Sequence, residues 1–293
     1  MAPPHGVLNL NKPSGMTSRA VVDWVQRFGR KTKAGHAGTL DPLASGVLVV
    51  CVGAATRLIK YIQRMPKHYT GTFLLGRRSP TEDVDGEVVE LEDAPIPTLE
   101  AILAATGPLT GRIEQRPPTY SALKVGGRRA CDLARRGSPV QLRPRTVVVH
   151  RLEVVAYEYP RLKLRIECGS GTYVRSLGRD LAESLGTAAV MSGLVRTAIG
   201  NFRLDEAVDP NELTRENWTG RLLPPVRAVE LLPRVKLSAE EIARVQHGQT
   251  IRRETGAAGE LEFAALDAAG RLVAVLTRRG DDLLGPLRNL PLG

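Results

Sequence analysis

Apolar positions recur along this chain in short runs of two kinds, some continuous and some periodic. Residues 6–10 and 47–52 are continuous apolar runs, the second rich in β-branched side chains, and both read as strands, the second a buried one. Between them Val21, Val22, Val25 and Phe28 return at helical spacing, with Ser18 as the expected N-cap and Gly29 as the stop. Leu58, Ile59, Ile62 and Met65 mark a second helix closed by Pro66. Residues 69–75 read as a strand, with 86–91 as its expected partner. Thr98 caps a short helix through Leu99, Ile102 and Leu103 that ends at Gly107 and Pro108. Farther on, Leu162, Leu164, Ile166 and Cys168 alternate with Lys163, Arg165 and Glu167, the period-two pattern of a half-buried strand. After Gly169-Ser170-Gly171-Thr172-Tyr173, a helix continues through Leu177, Leu181 and Leu185.

One stretch breaks this rhythm. Residues 112–145 hold Pro117-Pro118, Gly126-Gly127 and Pro144 and read as an inserted, partly mobile lobe. A second boundary falls between Leu223-Pro224-Pro225 and Pro233, dividing a larger part, residues 1–232, from residues 233–293. Beyond it Ser238-Ala239-Glu240-Glu241 is a capping box that opens a helix through Ile242 and Val245, stopped at Gly248. Two β runs, 261–266 and 272–276, flank Asp267-Ala268-Ala269-Gly270, so the C-terminal part reads as a small β-rich domain.

Charge adds a partner to this picture. Across 293 residues, 41 basic side chains face 31 acidic ones, a net +10. Such a balance favours a polyanion, either nucleic acid or an anionic membrane surface. The lobe at 112–145 carries nine basic residues against Glu114 and Asp132, set among Pro, Gly, Ser and Tyr. A membrane-surface helix would need a bulky apolar stripe opposite its charges, so phosphate contact is the better reading. Cys51, Cys131 and Cys168 are widely spaced and odd in number, and the five histidines show no ligand spacing. Neither a disulfide framework nor a metal site is implied, and a reducing cytoplasm is the expected location. Met1-Ala2-Pro3-Pro4-His5 has no secretory character, and no apolar run approaches the roughly 18 residues that span a bilayer.

The most unusual local sequence is Gly35-His36-Ala37-Gly38-Thr39-Leu40-Asp41-Pro42-Leu43-Ala44-Ser45-Gly46. It sets one carboxylate between a glycine-rich turn and a buried strand. Pro42 biases Asp41 to an extended backbone, and the glycines let a bulky ligand approach the main chain. On the residues alone Asp41 is either a carboxylate at the mouth of a pocket or an ordinary Asp-Pro turn starter. The phosphate-cradle patterns GxxxxGK[ST] and GxGxxG are absent. Asp83-Val84-Asp85-Gly86 lacks the closing Glu of a calcium loop, since Ala94 stands there, and reads as a hairpin turn.

Five ordered stretches carry a resemblance. Residues 35–46 resemble the catalytic motif of the TruB-type bacterial tRNA pseudouridine-55 synthases. Asn11-Lys12-Pro13-Ser14-Gly15-Met16-Thr17-Ser18 is similar to that family's N-terminal motif, and residues 115–124 to its RNA-contacting insert. Residues 171–176 and 194–197 match two further motifs in the expected order. The resemblance implies that Asp41 is the catalytic carboxylate. It breaks the N1–C1′ bond of a target uridine and allows the base to rejoin through C5. Arg175 is then the cation that keeps Asp41 charged and aimed. Tyr69 stacks on the extruded uracil or passes a proton, Tyr173 and Leu194 line the uracil pocket, and His36 fills the gap left in the RNA stack. Lys12, Lys124, Arg128 and Arg129 are candidate phosphate contacts. One departure is Cys131, where the family commonly has an aromatic residue.

The fold implied by the resemblance is mixed α/β, with a twisted, largely antiparallel central sheet, the inserted RNA-binding lobe, and a C-terminal PUA-like domain in which Arg278, Arg279 and Arg288 could meet phosphate. The expected activity is isomerisation of uridine 55 in the T-loop of tRNA on a flipped base. It needs no metal or organic cofactor, no membrane and no obligatory protein partner, and the enzyme acts as a monomer on the T-stem-loop. Two other readings use the same scaffold: a tRNA-folding protein without catalysis, and a guide-RNA-dependent synthase acting on ribosomal RNA. A glycosidase would want a second carboxylate flanking the bond, and none accompanies Asp41 in its motif.

Overall fold

The computed structural model describes residues 4–29, 32–121, 123–138, 142–253 and 261–291. Residues 1–3 of the N-terminal reading, Ala122 of the insert motif and the side chain of Arg129 lie outside the described residues.

The first apolar run forms β1 (Gly6–Lys12), followed by α1 (Ser18–Phe28), the short β2 (Ala34–His36) and β3 (Ser45–Val52). Helix α1 starts one residue earlier in its cap than the spacing suggests. Thr17 is the extended residue, so its hydroxyl, not that of Ser18, accepts from the Ala20 amide at 3.1 Å. Next come α2 (Ile59–Arg64) and β4 (Lys67–Leu75), the latter alternating strictly between a buried and a half-buried face. The expected pairing of 69–75 with 86–91 does not form. A small ribbon of β5 (Arg77–Arg78) and β6 (Val89–Glu90) takes up that segment, and β4 goes to the middle of the main sheet.

After α3 (Leu99–Thr106), β7 (Gly111–Gln115) is an edge strand of the main sheet, paired with β10 (Arg145–Glu158). The insert is therefore shorter than 112–145, because both of its ends are strand. Between them lie β8 (Lys124–Val125), β9 (Arg128–Arg129) and α4 (Ala130–Arg135), on which Cys131 is half-buried. Strand β11 (Arg161–Cys168), helix α5 (Val174–Ser184), β12 (Ala189–Ile199) and β13 (Phe202–Arg203) complete the larger part. The sheet runs β1-β3-β12-β4-β11-β10-β7, with β2 on β3 and β13 on β12. Every pairing is antiparallel except β3 with β12.

Helix α5 lies directly on the buried face of β4. A Cβ at Gly178 would stand 2.1 Å from the Phe73 ring, so glycine is what lets the helix come down onto the strand. That seat places the first turn of α5 beside Tyr69, two residues along the same strand face from Gly71.

The C-terminal part holds β14 (Arg234–Lys236), α6 (Ala239–Gln246), β15 (Ile251–Arg252), β16 (Glu262–Leu266), β17 (Leu272–Gly280) and β18 (Leu283–Asn289). Its sheet runs β14-β16-β17-β18-β15, and the Ser238–Glu241 capping box is present. Ala264, Leu266, Leu272 and Val275 share one buried cluster with Val47, Val49 and Ile62 of the larger part. At its edge Glu262 accepts from Lys60 at 2.8 Å and Arg64 at 3.0 Å.

Candidate functional site

Asp41 stands on a loop whose backbone is held almost residue by residue. Arg196 is buried within β12, where it donates to the carbonyls of Gly38 at 3.0 Å, Thr39 at 3.4 Å and Val47 at 2.7 Å. A guanidinium inside a sheet must spend its donors on acceptors, and here the acceptors are backbone carbonyls on either side of Asp41. The Ser18 hydroxyl bonds both backbone groups of Leu40, at 2.8 and 3.1 Å. The Gly15 amide donates to the Pro42 carbonyl at 2.8 Å, and the Ser14 hydroxyl to that of Leu43 at 2.8 Å. Parallel pairing of Val195 with Ser45 and Arg196 with Gly46 brings the end of this loop onto β12. Gly46 has φ +99°, and a Cβ there would meet the Arg196 carbonyl at 2.3 Å, so no other residue fits the crossing.

Lys12 belongs to the same bracing. It is fully buried, and its ammonium donates to the carbonyls of Met16 at 2.5 Å, Pro13 at 2.8 Å and Pro42 at 3.4 Å. Burial brings that ammonium down to about 8. This corrects the reading of Lys12 as a phosphate contact: its stem and charge point into the loop, not at solvent. Lys124 and Arg128 are exposed on the insert, where a phosphate could reach them.

The carboxyl of Asp41 opens into a cavity of about 560 Å³ lined by Tyr69, Leu194, Tyr173, Arg175 and Arg196, with Lys67, Arg145 and Ser121 among the other walls. Arg175 Nε meets Asp41 Oδ2 at 3.0 Å, while Arg175 is 6% exposed and the Asp41 side chain 37% exposed. The same guanidinium pairs with Asp83 at 3.2 Å through Nη1 and donates to the carbonyls of Thr81 at 2.6 Å and Tyr120 at 3.0 Å. Asp83, read from the sequence as part of a turn, is thus a buried carboxylate in the site. Its Oδ1 accepts from the Thr81 hydroxyl at 2.6 Å and the Asp85 amide at 3.2 Å. Burial raises the Asp41 carboxyl above its ordinary range. The Arg175 guanidinium opposes that rise, and the charges of Asp83 and Asp85 add to it.

Tyr69 packs on the buried face of β4, opposite Arg196 of β12, whose guanidinium lies 6.0 Å from the ring centre. Burial pushes its hydroxyl up, so it remains a neutral donor. Leu194 faces Gly71 across the same strand pair, and a Cβ at Gly71 would press on the Phe73 ring at 3.0 Å, so the glycine lets that ring pack against the strand. Tyr173 is fixed by a residue that the pattern leaves unassigned. Gln115, fully buried at the end of β7, accepts from the Tyr173 amide at 2.8 Å and donates to its carbonyl at 3.1 Å. Arg145 covers the Tyr173 ring at 4.7 Å. His36 does not line the cavity, although its neighbour Ala37 does. Burial, with Arg196 and Arg19 nearby, lowers its imidazole and keeps it neutral.

The structure therefore gathers Asp41, Tyr69, Tyr173, Arg175 and Leu194 around one cavity and leaves Lys12, His36, Lys124 and Arg128 off it. Arg196 had a signal in the sequence, a charge within the apolar run of β12. Asp83 was read only as part of a turn and Gln115 only as the start of the insert motif, since the partner of each lies far off in the chain.

Known proteins resemble this chain over most of its length. Residues 26–174 match the TruB family pseudouridylate synthase (N terminal domain). The tRNA pseudouridine synthase B of Symbiobacterium thermophilum is 46% identical, covering 83% of this chain and 82% of that protein. The Arthrobacter sp. protein of the same name is 41% identical over 94% and 93%, and that of Dehalococcoides mccartyi 38% over 97% and 96%. Among solved structures, a Cbf5-Nop10-Gar1 complex aligns with TM-score 0.71 at 28% identity, covering 93% of this chain and 78% of the other. An H/ACA RNP bound to a substrate RNA containing 2′-deoxyuridine aligns with TM-score 0.75 at 25% identity, covering 98% and 85%. With half the chain matched by one family and close to its whole length shared with several curated members, the chain belongs to the TruB pseudouridylate synthases.

Proposed function

We propose that this chain isomerises uridine 55 in the T-loop of tRNA to pseudouridine, with Asp41 as the catalytic carboxylate. The observation that carries the reading is the pairing of Asp41 with the buried Arg175 at 3.0 Å, at the wall of a cavity that also holds Tyr69, Tyr173 and Leu194. A cavity of about 560 Å³ accepts a flipped nucleotide with room to turn the base. In the reaction the N1–C1′ bond breaks, C5 bonds to C1′, the C5 proton leaves and N1 takes one up, so atoms balance without a second substrate. Asp41 enters either by adding to the nucleotide or by removing a sugar proton, and both routes start from its ionised form. Arg175 favours that form and directs the oxygen. Tyr69 offers a stacking face and a neutral hydroxyl to the base.

Recognition of the RNA falls to the insert, with Lys124, Arg128 and Arg129 as phosphate contacts, and to the C-terminal sheet in the role of a PUA-like domain. His36 fills the stack vacated by the base. The insert gives the chain its own cationic surface, which favours a stand-alone monomer in the cytoplasm over a subunit of a guide-RNA assembly.

The test is nucleotide-resolution pseudouridine mapping on unmodified tRNA transcript treated with purified protein. Wild-type protein should modify position 55 and leave a transcript with cytidine there unmodified. Asp41→Asn should bind tRNA and form no pseudouridine. Turnover by that variant, or modification elsewhere only, would overturn the reading.

A further inference from the structure

Helix α5 carries a second arginine one turn beyond Arg175. Residues four apart share a helix face, and Arg179 repeats the contacts of its neighbour one step outward. Arg175 holds Asp83 and the Tyr120 carbonyl, whereas Arg179 holds Glu82 and the Arg116 carbonyl, the latter at 2.8 Å. Asp180 steadies the outer guanidinium through Nε at 2.9 Å and Nη2 at 2.7 Å. Two consecutive acids of one loop and two carbonyls of one strap, residues 116–120, are thus gripped by one pair of guanidinium groups. The strap is the first leg of the insert, and it delivers Ser121 to the cavity wall.

The loop is shaped for this. Glu82 has φ +62°, the one positive value at a non-glycine among the described residues. Side chains avoid that region, and it persists where the surroundings enforce it. In an extended chain, consecutive side chains point to opposite sides. The left-handed step at Glu82 turns both its carboxylate and that of Asp83 towards α5. Glu82 is 14% exposed, its other oxygen accepts from the Ser176 hydroxyl at 2.9 Å, and its carbonyl accepts from the Met191 amide at 3.0 Å. Burial raises its carboxyl, with the Arg179 charge opposing.

We propose that Arg179 and Glu82 are positioning residues of the isomerase: they pin the first leg of the insert to α5 and so set the frame in which Arg175 holds Asp41. Arg175 spends Nε on Asp41, Nη1 on Asp83 and Thr81, and Nη2 on Tyr120 of the strap. If the strap slides, Nη2 is released and the guanidinium plane turns about the atom that meets Asp41. The insert that binds RNA is thereby mechanically joined to the catalytic pair. The proposal rests on Asp41 being the catalytic carboxylate.

The experiment compares wild type, Arg179→Met, Arg179→Lys, Glu82→Gln and the Arg179→Met/Glu82→Gln double variant. Single-turnover pseudouridine formation at saturating enzyme is measured beside the tRNA Kd and the folded fraction from thermal melts. Arg179→Met should lower the saturated rate per folded molecule by about tenfold or more, the scale of a small misplacement of a reacting group, with Kd held within about twofold. Arg179→Lys and Glu82→Gln should fall in between, and the double variant should be no slower than Arg179→Met. A wild-type saturated rate in all folded variants overturns the proposal, as does a loss confined to Kd. If Arg179→Met does not fold, the Lys and Gln variants decide by the same criteria. An inactive wild type would instead sink the proposed function, so the two failures are distinguishable.

Discussion

Replacing Asp83 by Asn removes one charge from the site at nearly constant shape. Oδ1 of Asp83 already accepts from the Thr81 hydroxyl and the Asp85 amide, and an amide oxygen can keep both bonds. The amide nitrogen then falls on the Oδ2 side, where it faces Nη1 of Arg175, now 3.2 Å away, donor against donor. A hydrogen bond to a charged group contributes about 1.5–3 kcal/mol, which lowers the rate about 10- to 150-fold if it is lost wholly at the transition state. Both partners are almost fully buried, 6% exposed each at the side chain, which favours the upper part of that range. The pH profile should move as well. Asp83 is one of the charges that raise the Asp41 carboxyl. The ionised form is lost as pH falls through the folded pKa, so removing Asp83 while Arg175 stays on Asp41 shifts the acid limb of the single-turnover rate to lower pH. Tritium release from C5-labelled transcript across the acid range reads both effects. An unchanged plateau with an unmoved acid limb would refute the claim that Asp83 helps to hold Arg175.

Arg175→Lys should be slowed by at least about 100-fold, because contacts that leave three separate nitrogens cannot be made from one ammonium. A near-normal rate constant would show that the Asp41 pair is incidental. Gly178→Ala sets a Cβ 2.1 Å from the Phe73 ring and should lower stability by about 1–3 kcal/mol in urea unfolding; an unmoved midpoint would mean α5 can lift off β4 freely. Lys124→Gln with Arg128→Gln should flatten the salt dependence of tRNA binding by about 0.7–0.9 in log–log slope for each phosphate lost, and an unaltered slope would take the insert off the RNA.

Strands and helices whose apolar positions are close in sequence could be read directly. The alternation at 162–168 became β11, the helical spacing after Ser18 became α1, and the Ser238 capping box is in place. Asp41 was legible because its motif is contiguous: the loop residues that surround it are its own neighbours. Strands β10 and β12 went unmarked, since exposure along them follows pairing with β7, β4 and β3 and not a simple alternation. The insert's limits were misplaced for the same reason. Arg112 to Gln115 look like lobe until β10 arrives to pair with them.

Composition and local pattern, then, marked most of the elements and the basic insert, and a contiguous motif marked Asp41 as the candidate carboxylate, all of which depend on residues within a turn or two of each other. Tertiary structure alone decided which charges meet that carboxylate. Asp83 and Tyr120 reach Arg175 from 92 and 55 residues away, as Gly38 and Val47 reach Arg196 from 158 and 149, and nothing local in either segment records the partner. Burial explains the assignment. A guanidinium stays charged when a sheet or helix encloses it, so its burial is tolerated only where fixed acceptors surround it, and those acceptors are supplied by whichever distant segments the fold brings alongside.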